Sequence, residues 1–350
     1  MRRLKKFPLL VFVCWITMTI LYTCFVPMKL RQELKDLKTK LNEQHANYTN
    51  KLKLALKTVE KLKDHVKWNI YGMNRKTPNI ELVNSRDIEA RDTQIIILVT
   101  SHIANKNRRD SIRVNWGDPS KFTKHTRLYN GEATYKVYFM TGYLQNHIGN
   151  ASLESTIHKD MLIMNRTENY WDLSRKFMLG FLWSLENCQF DYLLKTDDDV
   201  FVNIPTLFKL IHKDPFVLKH KDRLYAGHMY EGLGPHRNNF SKWYVSKEEW
   251  APKNYPPFAP GMAVILSRFV IKKMVPYFDW VKPFKLEDVY IGMLVNYANV
   301  SGVGIRKPVG VEFYDNLQDR RYCGYSSRVI AFHKILDNYC MTFLTNNSMK

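Results

Sequence analysis

The sequence predicts an α/β fold with a mainly parallel central sheet, beginning near residue 93. From there on, short runs of Val, Ile, Leu, Phe and Tyr alternate with helical segments, a pattern typical of a sheet covered by helices on both faces. Three consecutive carboxylates, Asp197, Asp198 and Asp199, directly follow one of the apolar runs. Ligands of such folds bind beyond the carboxyl ends of the strands. We therefore expect the acidic triplet to lie in a binding site.

The apolar runs and the helical segments give the order of the elements. The predicted strands are Gln94–Thr100, Tyr135–Thr141, Met161–Met164, Asp191–Lys195, Arg223–Gly227 and Gly261–Leu266. The predicted helices are Arg108–Trp116, Trp171–Leu185, Ile204–His212, Arg268–Tyr277 and Asp288–Tyr297. These elements predict one domain over residues 93–350, without a glycine-rich phosphate loop or an internal repeat.

Residues 7–28 predict a membrane anchor. They contain no charged side chain, and as a helix they would be about 30 Å long, which is enough to cross a bilayer. The run is longer than the apolar core of about 7–15 residues in a signal peptide, and no small-x-small cleavage site ends it. An uncleaved signal-anchor is therefore favoured over a cleaved signal peptide, with residues 1–6 as a cytosolic tail.

The stem that follows, within residues 29–92, has a heptad-like apolar spacing. The spaced positions are Leu30, Leu34, Leu37, Leu41, His45, Tyr48, Leu52, Ala55, Val59, Leu62 and Val66. Such spacing is typical of a coiled coil that would pair two copies of the chain. Because several of these residues are poor at a helix seam, a merely amphipathic or partly disordered stalk is an equal alternative, and the polar segment after it is expected to be a linker.

Glycosylation motifs and cysteines indicate a lumenal body. All N-x-[ST] triplets lie after the predicted span, at Asn47, Asn150, Asn165, Asn239, Asn299 and Asn346. This distribution favours a single-pass type II orientation. Of the three cysteines outside the span, Cys188, Cys323 and Cys340, the last two are closest in sequence and form the favoured disulfide, although spacing does not fix connectivity.

The formal net charge of +20 does not indicate a nucleic-acid-binding protein. The basic residues are spread along the chain and form no recognisable nucleic-acid-reading motif. A basic surface also suits a protein that handles anionic nucleotide diphosphates near a negatively charged membrane. We therefore exclude nucleic acid as the partner.

The acidic triplet is suited to binding a divalent cation. Carboxylate and phosphate oxygens are the ligands that Mg²⁺ and Mn²⁺ prefer, so a cation at Asp197–Asp199 could grip a diphosphate. The acids are contiguous rather than alternating, and no Gly-x₅-Glu frame follows them, which argues against an EF-hand. A solvated acidic turn is the alternative, and the apolar residues on both sides of the triplet disfavour it.

Six segments together resemble a known enzyme family. They are Arg109–Gly117 (RDSIRVNWG), Tyr170–Lys176, Lys195–Phe201 (KTDDDVF), Ser241–Tyr244 (SKWY), Tyr255–Phe258 (YPPF) and Glu287–Gly292 (EDVYIG). In this order they resemble the β1,3-glycosyltransferases of glycosyltransferase family 31, over about residues 94–335. The chain departs from the family pattern at Asn115, at Asp172 and Ser174, and over Pro260–Ala263, and the last stretch lies where this family shapes the sugar pocket.

The resemblance implies a fold, a location and partners. It implies a GT-A type nucleotide-sugar-binding domain at the Golgi membrane, with a UDP-sugar as donor and Mn²⁺ or Mg²⁺ as cofactor. A glycan on a lipid or protein would be the acceptor. It favours an inverting, metal-dependent β1,3-transfer of a hexose, with galactose preferred and UDP-GlcNAc or UDP-GalNAc as alternative donors. A catalytically silent lumenal binding or chaperone protein is the alternative of another class, and a metal-dependent hydrolase is disfavoured because no His-rich site or second metal cluster occurs.

The resemblance also implies residue roles. Asp199 would bind the metal directly with His333 as second ligand, and Asp197 and Asp198 would orient ribose, metal-bound water or sugar. Asp288 would be the general base and Glu287 would position it or the acceptor, since a single displacement needs a carboxylate opposite the leaving group. Candidate contacts to the nucleotide diphosphate or the uridine pocket are Arg109, Arg113, Lys176 and Lys195, and candidate apolar platforms for a sugar ring are Trp243, Tyr244, Tyr255 and Phe258.

Overall fold

The computed structural model describes residues 30, 32–49, 51–53, 81–84, 87–129, 133–278, 281–300, 312–314 and 323–350. They belong to two compact units, one within residues 1–75 and one within 76–350. In the first unit, residues 32–49 and 51–53 are helical and exposed to solvent. Across the described ranges, no helix has both the length and the apolar character needed to cross a bilayer. The predicted anchor at 7–28 lies outside those ranges.

The second unit contains a central mixed sheet and a small one. The strands are β1 (Ile95–Thr100), β2 (Tyr135–Tyr143), β3 (Met161–Thr167), β4 (Tyr192–Asp197), β5 (Val200–Val202), β6 (Tyr225–Gly227), β7 (Ala263–Ser267), β8 (Glu312–Tyr314) and β9 (Val329–His333). The central sheet has the order β3-β2-β1-β4-β7-β6, and the small sheet has the order β5-β9-β8. The first four strands of the central sheet are parallel, whereas β7 runs antiparallel to both β4 and β6. The expected mainly parallel central sheet is therefore confirmed.

The helices of the second unit follow the predicted alternation and add elements to it. They are α1 (Lys106–Val114), α2 (Thr123–Thr126), α3 (Ile148–His158), α4 (Leu173–Asn187), α5 (Ile204–Lys213), α6 (Pro215–His220), α7 (Arg268–Met274), α8 (Glu287–Tyr297) and α9 (Asn338–Ser348). Several begin at a residue whose side chain accepts a hydrogen bond from the first turn, as Asn203 does for α5 and Ser267 for α7. Helices α2, α3, α6 and α9 and strands β5, β8 and β9 were not predicted.

Helix α4 packs closely on the parallel strands because it carries a glycine at the contact. A Cβ atom on Gly180 would lie 2.4 Å from Sδ of Met140 in β2 and 2.9 Å from a methyl carbon of Leu98 in β1. Phe177 and Phe181 of the same helix are fully buried. This packing fixes α4, and with it the start of the helix, at the sheet edge where β1 and β2 end.

Strand register brings the functional segments to one edge of the sheet. Thr100 at the end of β1 pairs with Asp197 at the end of β4. Because β7 is antiparallel to β4, with Thr196 opposite Ala263, the start of β7 lies at this same edge. In the small sheet Val200 pairs with His333, which places His333 next to the acidic turn.

The second unit contains one disulfide and one buried free cysteine. Cys323 and Cys340 form a disulfide between the segment before β9 and the first turn of α9, the pair that sequence proximity favours. Cys188 is buried and in no disulfide. All six sequon asparagines are exposed.

Candidate active site

A cleft of about 780 Å³ opens at the carboxyl ends of β1 and β4. Its lining comes from the ends of these strands, the starts of α4, β7 and α8, the end of β9, and the long loop between β6 and β7. The predicted site residues among the lining are Asp197, Asp198, Asp199, Glu287, Asp288, Lys176 and His333. The cleft thus unites segments that are far apart in sequence, at the position where α/β folds bind ligands.

Asp198 is a fixed anchor of the acidic turn. One carboxylate oxygen accepts hydrogen bonds from Oγ of Ser101 at 2.8 Å and from Nδ2 of Asn105 at 2.9 Å. The other accepts from a guanidinium nitrogen of Arg108 at 2.9 Å. The carboxylate is nearly buried, so these three donors compensate its loss of hydration. Asp198 therefore ties the turn after β4 to the start of α1.

Asp199 and His333 lie side by side at the edge of the cleft. Nε2 of His333 lies 3.6 Å from Oδ1 of Asp199, and both side chains are between one fifth and one quarter exposed. The pairing of β5 with β9 and the 2.8 Å hydrogen bond from the amide of Ile335 to the carbonyl of Asp199 hold the two segments together. One carboxylate oxygen and one imidazole nitrogen suit Mn²⁺ well.

The cation would need further ligands from a bound substrate. Within the described ranges, no three His, Cys, Asp or Glu side chains are grouped so as to hold an ion by themselves. Mg²⁺ and similar ions are commonly bound by one or two protein ligands together with substrate phosphates and water. Asp199 and His333 would fit a cation whose coordination is completed by the oxygens of a diphosphate.

Lys195 links the end of β4 to the start of α8. Its ammonium group donates to Oε1 of Glu287 at 2.5 Å, to Oδ1 of Asp197 at 3.0 Å and to the carbonyl of Gly261 at 3.1 Å. The side chain is 1% exposed and does not line the cleft. Although burial acts in the opposite direction, the charges of Asp197 and Glu287 raise the pKa of Lys195, so it stays protonated beneath the cleft floor.

Gly261 makes room for this ion pair. A Cβ atom at this position would lie 2.4 Å from Oε1 of Glu287 and 2.8 Å from Nζ of Lys195. Gly261 belongs to the Pro260–Ala263 stretch, where the sequence departs from the family pattern, and its lack of a side chain lets Lys195 and Glu287 meet. The segment therefore lies directly at the junction between the acidic turn and the start of α8.

Asp288 is a carboxyl group of the cleft with a raised pKa. It lies in the first turn of α8, lines the cleft, and accepts a 2.7 Å hydrogen bond from the amide of Val289. Burial raises the pKa of Asp288 to about 7, and the neighbouring charge of Glu287 adds to the rise. Burial likewise raises the pKa of Asp197 to about 6, where the Lys195 charge opposes a further rise. A carboxyl with a pKa near the working pH transfers protons efficiently.

The loop between β6 and β7 gives the cleft an aromatic wall. Tyr230 and Phe258 pair across the loop base in an isolated bridge, and both line the cleft. Trp243 also lines the cleft and is 50% exposed, whereas Tyr255 is buried at its edge. Tyr244, the remaining candidate platform, is not among the lining residues.

Arg109 and Arg113 lie outside the cleft. The guanidinium of Arg109 is fully buried and pairs with Glu154 of α3, while its remaining hydrogens go to Ser101 and to the carbonyls of residues 102 and 103. Arg113 pairs with Glu154, Asp160 and Asp110. Although burial acts in the opposite direction, both arginines lower the pKa of Glu154. Both guanidinium groups are paired with carboxylates of the fold and neither arginine lines the cleft, so the structure does not bring either arginine to a diphosphate in the cleft.

Lys176 reaches the cleft as half of a buried ion pair. Its ammonium group contacts Oε1 of Glu168, whose other oxygen accepts from the amides of Ile103 and Gly142. Burial lowers the pKa of Lys176 despite the neighbouring Glu168. The pair joins the ends of β1, β2 and α4, and its charges compensate each other at the cleft wall.

Arg108 and Asn105 are cleft residues that were not predicted from the sequence. Both line the cleft and bind Asp198, and about a third of the Arg108 side chain is exposed. They are three residues apart at the start of α1, on the helix face that Arg109 does not share. Their i, i+3 spacing shortly after the end of β1 is the sequence signal that could have identified them as cleft residues.

Comparison with known proteins agrees with this geometry. A family model described as Galactosyltransferase matches residues 107–306, a range that includes the acidic turn and Glu287-Asp288. UDP-GalNAc:beta-1,3-N-acetylgalactosaminyltransferase 1 of Sus scrofa is 29% identical over 252 residues, which cover 71% of this chain and 72% of that protein.

Two galactosyltransferases are similar to the chain at the same level. Beta-1,3-galactosyltransferase brn of Drosophila melanogaster is 28% identical, covering 72% of this chain and 74% of that protein. Beta-1,3-galactosyltransferase 5 of Pan paniscus is 30% identical, covering 61% of this chain and 69% of that protein. The family model matches more than half of the chain, and the acidic turn and the α8 carboxylates face one cleft. This chain therefore belongs to the galactosyltransferase family.

Proposed function

We propose that the chain is an inverting, metal-dependent β1,3-glycosyltransferase with a GT-A type fold, which moves a hexose from a UDP-sugar to a glycan on a lipid or protein. The observation that carries this proposal is the presence, in one cleft, of the Asp199–His333 ligand pair and of Asp288 with its raised pKa. A transferase of this kind needs one group of residues for the departing diphosphate and another for the attacking hydroxyl.

The donor side is the acidic turn. Asp199 and His333 would hold Mn²⁺ or Mg²⁺, which when bound neutralises charge on the departing diphosphate. Asp198 fixes the turn through Ser101, Asn105 and Arg108. The Arg108 guanidinium, partly exposed beside the turn, would add a positive charge for the diphosphate. In this proposal Arg108 takes the place expected from Arg109 and Arg113.

The acceptor side is the start of α8. Asp288 accepts the proton of the acceptor hydroxyl while that oxygen forms a bond to the anomeric carbon. The bond from this carbon to the phosphate oxygen breaks in the same step, and UDP leaves with the electron pair. Glu287, held by Lys195, keeps the first turn of α8 in position. Trp243, half exposed on the aromatic wall, offers an apolar face on which a sugar ring could stack.

The favoured donor is UDP-galactose, with UDP-GalNAc and UDP-GlcNAc as alternatives. The similar proteins support the first two, because their names specify galactosyl and N-acetylgalactosaminyl transfer. The discriminating experiment incubates the full-length chain with each radiolabelled UDP-sugar, Mn²⁺ and a panel of simple glycosides. Transfer from one donor to a 3-hydroxyl supports the proposal and names the sugar. Absence of transfer from every donor, with the fold intact, would favour a catalytically silent lumenal binding or chaperone protein.

We further propose a type II location in the Golgi membrane with the catalytic unit in the lumen. The charge-free segment 7–28 and the exposed sequon asparagines support this topology. In sealed microsomes the second unit should resist added protease, and peptide N-glycosidase should increase its mobility on a gel. Digestion of the unit without any glycan-dependent shift would contradict the location.

A further inference from the structure

Helix α3 presents a glycosylation sequon and an exposed aliphatic pair on one face. Asn150, Leu153 and Ile157 are separated by three and four residues, so they lie on the same side of the helix. Leu153 and Ile157 are 62% and 64% exposed, and Asn150 is exposed in the turn before them. The neighbouring positions Ala151, Glu154 and Ser155 face the protein interior, which fixes the orientation of the helix.

The same three residues line a groove. It has a volume of about 340 Å³, lies between α3 and the start of α1, and includes Lys106 and His147 at its polar edge. It is separate from the catalytic cleft and shares no lining residue with it. The groove therefore combines a glycan attachment residue with two exposed aliphatic side chains and a polar edge.

We propose that an N-linked glycan on Asn150 lies along the α3 groove, with its first sugar packed on Leu153 and Ile157. A pyranose ring has an apolar face of C–H groups, and burying such a face against aliphatic side chains is favourable. The hydroxyl and acetamido groups remain available to water and to the polar edge. The glycan thereby covers apolar surface that would otherwise be left to solvent on this unit.

The inference rests on the lumenal location proposed above, but not on the catalytic chemistry. Ser152 is the hydroxyl residue of the sequon and is itself exposed. Ser152→Ala removes the sequon and keeps Asn150, whereas Ser152→Thr retains the sequon. Asn47 supplies a control sequon on a helical segment, because its neighbours one turn away, Glu43, Gln44 and Lys51, are polar.

The first test is glycopeptide mass spectrometry of the full-length chain produced in animal cells. We expect Asn150 to be occupied in the wild-type and Ser152→Thr proteins. An unoccupied Asn150 beside an occupied Asn239 would overturn the inference and leave the lumenal location standing. A chain with no occupied sequon would overturn both.

The second test is a double-mutant cycle on thermal unfolding of the second unit, followed by tryptophan fluorescence. Ser152→Ala should lower Tm by about 2–4 °C, the shift that a modest lost contact produces in a domain of this size, whereas Asn47→Gln should not. In a background with Leu153→Ser and Ile157→Ser, loss of the sequon should change Tm by less than half as much. An equal shift in both backgrounds, or no shift in either, would show that the glycan does not pack on these residues.

Discussion

The ammonium nitrogen of Lys195 lies 2.5 Å from Oε1 of Glu287. This ion pair joins the end of β4 to the first turn of α8. Both charges are largely withdrawn from water. The two segments carry different tasks in the proposed reaction, since β4 leads into the acidic turn and α8 begins with Glu287 and Asp288. The pair therefore fixes the donor side of the cleft relative to the acceptor side.

Lys195→Met should strongly destabilise the second unit. Removing one partner of a buried ion pair leaves Glu287 and Asp197 uncompensated, which costs about 3–5 kcal/mol in comparable cases. Urea unfolding of the full-length chain, followed by tryptophan fluorescence, measures the change. Glu287→Gln is the matched control, because the amide keeps an oxygen acceptor for Lys195, and it should cost less. A Lys195→Met protein as stable as the wild type would contradict the structural role of the pair.

The local part of the site could be predicted from sequence. An apolar run followed by three acids indicates a strand that ends in a polar turn, and β4 with Asp198 and Asp199 has this arrangement. The helix predicted from Asp288 begins one residue earlier, at Glu287, and acids are favoured in a first helical turn. These features depend on neighbouring residues only.

The non-local part could not be predicted from spacing. The pairing of Asp199 with His333 depends on β5 and β9, and β5 is a strand of three residues whose partner lies over a hundred positions later. Arg109 and Arg113 are four residues apart on one face of α1, and both contact Glu154 rather than the cleft. Helix α3 determines which face of α1 meets the cleft, because Glu154 of α3 binds both arginines. The sequence pattern did not indicate this helix.

The catalytic rate should fall on the acid side of about pH 7. Asp288 must be deprotonated to accept a proton, and its pKa is raised to about 7 by burial and by Glu287. A plot of kcat/KM against pH should therefore have an acid limb with an apparent pKa near 7. Glu287→Gln removes a negative charge beside Asp288, so it should move this limb to lower pH. A limb that stays in place in that variant would mean that another group controls it.

Asp288→Asn should be more stable than the wild type at alkaline pH. The folded-state pKa of Asp288 lies above its unfolded value of 3.8, so its contribution to stability is complete below that value and is lost as the pH rises through about 7. Asparagine does not ionise and avoids this loss, which amounts to about 4 kcal/mol at pH 8. Denaturant unfolding at pH 5 and pH 8 measures the difference, which should grow with pH. A difference in stability that is the same at pH 5 and pH 8 would argue against a raised pKa of Asp288.

The exposed leucines of the first unit predict self-association. Leu34, Leu37 and Leu41 belong to a helical segment, and their side chains are 48%, 68% and 65% exposed. Their spacing fits a paired helix. The full-length chain should sediment as a dimer in detergent, and replacing the three leucines with serine should give monomers with unchanged transfer. A dimer that persists in this variant would place the interface elsewhere, and a monomeric wild type would favour an unpaired stalk.

The central claim is that one cleft contains a metal-dependent donor side at Asp199 and a proton-accepting side at Asp288. Calorimetric binding of UDP in the presence of Mn²⁺, measured together with hexose transfer, tests it most directly on the wild type, Asp199→Ala and Asp288→Asn. We predict that Asp199→Ala loses the Mn²⁺-dependent part of UDP binding and all transfer, because a lost metal ligand weakens the grip on the diphosphate. Asp288→Asn should bind UDP as the wild type does while its turnover falls by about 10²–10⁴. Full transfer by Asp199→Ala in the presence of EDTA, or equal loss of UDP binding in both variants, would contradict the claim.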